Sequence, residues 1–200
     1  MTGAGATGPG GTGPGAAGAP LIVTAELPPD LHRWATALRR AHFPPERNHL
    51  EAHVTLFHAL PPAIEAELRA LLARLAGDTA PLSARLDGVM NLGRGTALRV
   101  TSPAMLDLRA RVADRFLGML SAQDSHPPRL HITIQNKVAP AEARALQRSL
   151  AGARAEAGPV TGQGAGGWAG RNFAFPGLAL FRYRGGPWEP VRRFPFRGAR

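Results

Sequence analysis

A single domain that mixes helices with strands is predicted by three observations. The chain has 200 residues, the size of one ordinary domain built around one core. Short runs rich in β-branched and aliphatic residues alternate with segments whose apolar residues recur every three or four positions. Two of the short runs also share one pattern, His, β-branched residue, Thr, aliphatic residue, 78 residues apart, which is the spacing of a half-domain repeat.

The elements follow in chain order. Residues 1–19 hold 8 of the 24 glycines, with Ala, Thr and Pro and no charged side chain. Such a segment cannot bury enough surface to offset its chain entropy, so a disordered tail is expected there, followed by one domain over 20–200. Leu21-Ile22-Val23-Thr24-Ala25 is a strand closed by Pro28-Pro29. Asp30 is then placed to cap a helix with Leu31, Trp34, Ala35, Leu38 and Ala41 on one face, stopped by Pro44-Pro45. Leu50 to Leu60 alternates as a strand, Pro61-Pro62 breaks it, and Ile64, Leu68, Leu71, Leu72 and Leu75 mark the next helix. Residues 82–101 suggest two strands joined at Gly93-Arg94-Gly95. A helix opens after Ser102-Pro103 and carries Met105, Leu108, Val112, Phe116 and Met119-Leu120. Leu130 to Val138 is a strand, Ala141 to Ala155 a long helix, and Phe173 to Phe196 one or two strands.

Composition removes several classes of function. With no cysteine there is no disulfide framework, thiolate metal site or cysteine nucleophile. The longest apolar runs, such as Leu178-Ala179-Leu180-Phe181, fall far below the roughly 20 residues that span a bilayer. The start lacks the basic and apolar regions of a secretory signal, so a cytoplasmic protein with no membrane partner is expected. A net charge of +10 favours an anionic partner. Only Lys137 among the 24 basic residues is lysine, however, so part of this arginine reflects general composition and not a designed patch.

The repeated motifs are His53-Val54-Thr55-Leu56 and His131-Ile132-Thr133-Ile134. On a strand, residues two apart share a face. His53 and Thr55 therefore project together, as do His131 and Thr133, joined on that face by Arg129 and Gln135, while Val54, Leu56, Ile132 and Ile134 face a core. One such tetrapeptide is ordinary strand sequence. Two of them in similar settings, each followed by a proline and an amphipathic helix, point to a shared site.

These residues resemble the two-histidine phosphoesterase superfamily, in particular the bacterial 2'-5' RNA ligases, also called RNA 2',3'-cyclic phosphodiesterases, which two His-x-Thr-x motifs define. The likeness extends over Leu50 to Pro61, the opening Leu21 to Ala25, and the ending Leu178 to Tyr183 with Trp188. It implies an α+β fold, bilobal and duplicated about a pseudo-twofold axis, with antiparallel sheets lining a central cleft and helices outside. It also implies a catalytic set of His53, Thr55, His131 and Thr133, in which His131 activates water and His53 protonates the departing 3'-oxygen.

The chemistry is coherent with that set. Opening a 2',3'-cyclic phosphate to a 2'-phosphomonoester needs a base for the attacking water and an acid for the leaving ribose oxygen. Two imidazoles with ordinary pKa values near 6.5 supply both near neutral pH. The threonine hydroxyls can donate to the non-bridging oxygens. Because both directions share one transition state, 2'-5' ligation is the reverse reaction. No cofactor or metal is expected, and a monomer acting on RNA ends or small nucleotides with a cyclic phosphate is the leading expectation.

Other readings stand beside this one. Arg129 is a substrate-binding candidate that could equally be solvated. Gln135 lies about 13 Å along the strand from His131 at about 3.3 Å per residue, in reach of a nucleobase rather than the phosphate. His49, His53 and His58 are close in sequence, but 53 and 58 would face opposite ways, leaving His58 buried or between lobes, and no His-Glu-x-x-His motif is present. Phe181, Tyr183 and Trp188 suit base stacking or a core. The rival functions are an RNA-binding module that keeps the cleft without catalysis, and a same-fold enzyme for another cyclic or 2'-5' linked nucleotide.

Overall fold

The computed structural model describes residues 18–156 and 170–199, so the tail expected over 1–19 lies outside the described residues apart from Gly18 and Ala19. The elements are β1 (Leu21–Ala25), α1 (Pro29–His42), β2 (Val54–Leu60), α2 (Glu65–Asp78), β3 (Leu82–Asn91), β4 (Gly95–Thr101), α3 (Pro103–Arg115), β5 (His131–Asn136), α4 (Pro140–Glu156), β6 (Asn172–Phe175), β7 (Gly177–Tyr183) and β8 (Trp188–Pro195).

Local chemistry sets most of these boundaries. Ser102 caps α3, its hydroxyl accepting from the Met105 N–H, with Pro103 in the first turn. The helical spacing does not continue to Met119-Leu120 as expected. Phe116 is buried at the end of α3, and Gly118 follows with φ 87°, which turns Leu117 and Met119 out into solvent. Nor does Asp30 cap α1: that helix starts at Pro29 with Pro28 in the cap position and no side-chain bond, and Asp30 pairs with Arg171 instead. The final segment makes three strands rather than one or two, because Pro176 separates β6 from β7 and the Gly185-Gly186 turn separates β7 from β8.

The strands form two four-stranded antiparallel sheets, ordered β2-β1-β7-β8 and β5-β4-β3-β6. Each sheet is built around the same unit. β1-α1-β2-α2 is repeated as β4-α3-β5-α4, and in both the second strand of the unit ends up at the sheet edge. α2 packs on β7 and β8, and α4 on β3 and β4. α1 crosses to pack on β5 of the other sheet, and the edge strands β2 and β5 touch. The duplicated, two-lobed α+β architecture with a central cleft is therefore present, with the cleft between the edge strands.

One apolar cluster runs through both lobes, from Leu21, Phe57 and Leu72 to Leu98, Ile132 and Phe175. The lobes are further stitched by the chain itself, which steps from the second sheet to the first across Pro176 alone. Directly after that step, a Cβ on Gly177 would lie 2.5 Å from the Phe194 carbonyl oxygen, too close for any side chain. Among the described residues no helix is long and apolar enough to cross a membrane.

Replacing Gly177 by alanine forces β7 and β8 apart at this step. The expected loss is about 1–3 kcal/mol, typical of an overpacked site, read as a lower urea midpoint with an unchanged slope.

Candidate active site

The motif strands alternate as the sequence requires. Val54, Leu56, Ile132 and Ile134 are buried in the core, while His53, Thr55, His131 and Thr133 are half-buried on the opposite face. Immediately after each motif threonine, the pairing slips. Thr24 pairs with Thr55 but Val23 with Phe57; Ala97 pairs with Thr133 but Thr96 with Gln135. Each motif strand thus carries one extra residue, Leu56 in one and Ile134 in the other, a β-bulge at the same place in both repeats.

The bulges correct two expectations drawn from simple alternation. Gln135 does not share the face of His131: it is turned inward, and its Nε2 donates to Glu142 at 3.0 Å. His58 is neither buried nor opposite His53, because the slip at Leu56 sends Phe57 into the core and His58 out beside Thr55; it does lie between the lobes, as the other alternative had it, bonded to Asp124 and lining the same recess as His131. A second slip between Phe57 and Leu60 leaves His58 and Ala59 both exposed.

That irregularity frees two successive N–H groups, and a buried carboxylate receives them. Asp124, 1 % exposed, accepts from His58 N at 2.9 Å, Ala59 N at 2.9 Å and His58 Nδ1 at 3.1 Å. Burial works against its charge, yet the bonds from the His58 ring and the two backbone groups hold it below the ordinary carboxylate range. With Nδ1–H committed to Asp124, Nε2 is the nitrogen that His58 has left for a ligand.

The two motif histidines are held in one way. His53 Nδ1 lies 2.7 Å from the Glu51 carbonyl and His131 Nδ1 lies 2.6 Å from the Arg129 carbonyl. A carbonyl can only accept, so each Nδ1 carries the hydrogen and each Nε2 is left to exchange a proton. Burial pushes His53 down to about 4, helped by the charges of Arg39, His131 and His58 and opposed by the Glu51 bond. His131 is also lowered, again chiefly by burial, with His58 and Arg129 adding to it. The Trp188 ring packs on His53, centroids 4.7 Å apart, with Phe181 5.6 Å behind it. Tyr183 is exposed at the strand end.

Arg39 is a buried cation beside the motif pair that the motif analysis misses. It is 4 % exposed and donates to Leu50 O at 3.1 Å, Asn48 Oδ1 at 3.0 Å and Thr133 O at 2.7 Å. One guanidinium thus joins the chain leading into the first motif to the backbone of the second. Burial pushes its pKa down to about 10. In return, Arg109 of α3 reaches the first lobe, its guanidinium 4.5 Å over the Phe57 ring and bonded to the Asp124 carbonyl. Each was visible as a charge on an apolar stripe, at the spacings Leu31-Ala35-Arg39 and Met105-Arg109-Val112.

Two spaces flank the motif pair. The one on the His53 side, about 740 Å³, is lined by Leu50, Phe181, Trp188, Val191 and Arg192 among others, and its size suits a whole small ligand. The one on the His131 side, about 180 Å³, is lined by Thr55, His58, Gln123, His126, Arg129 and His131. His49 lines the larger space with His53, and His58 the smaller. Among the described residues no three His, Asp or Glu side chains converge in a metal-holding group.

Arg39→Gln removes both a tether and a positive charge near His53. The His53 titration midpoint, followed by NMR, is expected to rise from about 4 toward the ordinary value near 6.5. Because the native ring binds its proton less readily than the unfolded one, the wild-type protein loses stability as pH falls from about 6.5 to about 4, with no further change from this group below that. The variant shows a shallower loss.

A family model described as the 2'-5' RNA ligase superfamily matches residues 27–165. No curated protein sequence matches the chain. Among solved structures, TT0787 of Thermus thermophilus aligns over 90 % of this chain and 100 % of its own, at 19 % identity and a TM-score of 0.59. E. coli LigT in apo form aligns over 90 % and 99 %, at 18 % identity and 0.55. LigT complexed with 3'-AMP aligns over 90 % and 98 %, at 20 % identity and 0.53. These structures share the fold, and the family model adds the sequence signature that lies on it: this chain belongs to the 2'-5' RNA ligase superfamily of two-histidine phosphoesterases.

Proposed function

We propose that residues 20–200 form one two-lobed enzyme domain that hydrolyses 2',3'-cyclic phosphates on RNA ends or nucleotides to 2'-phosphomonoesters, without a metal or cofactor, 2'-5' ligation being the reverse. The observation that carries this reading is the matched pair of imidazoles. His53 and His131 each spend Nδ1–H on a carbonyl two residues back, so two equivalent Nε2 atoms remain for two proton transfers. The structure of LigT with 3'-AMP supports a nucleotide as ligand. Both motifs come from one chain, so a monomer, taken here as cytoplasmic, carries the whole site.

In the forward direction, water attacks phosphorus and passes a proton to His131 Nε2. The P–O3' bond breaks on the far side, and His53 Nε2 protonates the departing oxygen. The roomier space lies on the His53 side, where the nucleoside bearing that oxygen fits, with Trp188 and Phe181 as its apolar wall. Thr55 and Thr133 hold the non-bridging oxygens, and Arg129 adds positive charge beside His131. In the empty site both imidazoles are poor proton holders, because they are buried among positive groups. An anionic cyclic phosphate reverses that balance when it binds, raising both.

His53→Ala and His131→Ala, assayed on a 2',3'-cyclic nucleotide with excess chelator present, are each expected to lose roughly 10²- to 10⁴-fold in turnover, with the double variant losing less than the product. A substrate whose leaving group departs without a proton restores His53→Ala and leaves His131→Ala impaired; the opposite pattern exchanges the two roles. Activity abolished by chelator and restored by one divalent ion overturns the metal-free reading.

The pH profile gives an independent check. Since both imidazoles of the free protein lie below their ordinary value, kcat/KM is expected to peak on the acid side of about 6.5. The profile of kcat, which reports the complex, is displaced to higher pH by the bound anion.

A further inference from the structure

The smaller space shares Thr55, Arg129 and His131 with the hydrolysis just described but reaches beyond them. It contains Thr55 and His131 but neither His53 nor Thr133, so it extends away from the scissile phosphate on the His131 side, toward Gln123 and His126 in the loop after α3. At about 180 Å³ it is below the range of a whole-ligand pocket and has room for one substituent.

Its chemistry is one-sided. Apart from Asp124, its polar lining is His58, Arg109, His126, His131, Arg129, Gln123 and Thr55, none of them an acid. The Asp124 carboxylate is consumed from within, since both oxygens accept from His58 and Ala59. That arrangement also fixes the His58 ring, and leaves its Nε2 as the free nitrogen. A recess lined by guanidinium, amide, hydroxyl and imidazole groups, whose one carboxylate is already engaged, suits an anion, toward which the imidazoles donate from Nε2 once protonated.

Position identifies the anion. In an in-line displacement the attacking group and the base lie on one side of phosphorus and the leaving group and acid on the other. If His131 serves the attacking oxygen, as in the function proposed above and on which this inference rests, whatever fills the recess is attached to that oxygen. Water has nothing attached. The 5'-hydroxyl of a second nucleotide does.

We propose that the recess is a second phosphate subsite for the 5'-hydroxyl partner strand, holding the 3'-phosphate of its first nucleotide, with His58, oriented by Asp124, as the principal contact. The reaction it serves is exchange between a 2'-5' diester and a cyclic end. In cleavage, His53 takes the proton of the 3'-hydroxyl as its oxygen bonds to phosphorus, the P–O5' bond breaks, and His131 gives a proton to O5'. A 2',3'-cyclic phosphate and a 5'-hydroxyl strand result, and ligation is the same step reversed.

The test compares cleavage of a 2'-5' linked diadenylate with and without a 3'-phosphate on the departing nucleotide, alongside hydrolysis of 2',3'-cyclic AMP. Wild-type kcat/KM is expected to favour the phosphorylated dimer about tenfold or more, the worth of one or two charge-assisted hydrogen bonds. His58→Ala, and separately His126→Ala at an exposed loop position, bring that ratio close to one. A ratio responds only to groups that meet the added phosphate, so general damage to the fold or to the motif histidines cancels from it. If 2',3'-cyclic AMP is turned over but the wild-type ratio is already near one, or survives both variants, the subsite is overturned and the function stands. If none of the three substrates reacts, the function falls and takes the subsite with it.

Discussion

Each His-x-Thr motif belongs to a strand segment that buries one face in the core, turns the other to the cleft, and does so at the edge of its sheet. An edge strand of ordinary pleat presents a row of unpaired backbone groups and invites pairing with another chain. The bulge that follows each motif threonine resolves this conflict. It ends regular alternation where the chemistry ends, bends the strand, and sets where every later side chain points. In the first repeat a second slip, between Phe57 and Leu60, exposes two adjacent N–H groups, and the buried Asp124 carboxylate closes them off. The position of His58, the inward turn of Phe57 and Gln135, and the recess beside His131 all descend from that one inserted residue per strand.

The electrostatics of the site follow from burial without counter-charge. Arg39 sits within reach of His53, and Arg129 and His58 within reach of His131, so each motif imidazole is discouraged from holding a proton by burial and by positive neighbours. Asp124 is turned to His58 and to backbone. Holding the Arg39 and Arg129 charges beside buried imidazoles costs stability, since little offsets them. The same arrangement gives the protein a reason to prefer a phosphate over a neutral ligand of equal size.

How much of this was legible depends on which signals survive in one dimension. Strict alternation placed His53 with Thr55 and His131 with Thr133, because the apolar partners Val54, Leu56, Ile132 and Ile134 are unambiguous. The bulges were hidden in unequal degree. In the first strand the apolar pair Leu56-Phe57 followed by His58-Ala59 is a visible break in period, whereas in the second a glutamine occupies the inward position and erases it. Arg39 and Arg109 were legible as charges on apolar helical stripes. Asp124 was not, since it lies in a loop whose partner, His58, is 66 residues away and no local pattern connects them. The third terminal strand was missed because Pro176 reads as a turn within a sheet, while in the fold it carries the chain from one sheet to the other.

That crossing at Pro176 has a consequence for how the molecule comes into being. β1 and β2 leave the ribosome early, yet β1 is completed by β7, Leu21 pairing with Arg182, and β8 closes the sheet beyond it. The second lobe draws β3, β4 and β5 from the middle of the chain and takes only its edge strand β6 from just before β7. Contacts of such long sequence separation form late. The β3-β4-β5 part of the second lobe can thus pair as it is made, while β1 and β2 wait for β7 and β8, which follow every other element of the fold.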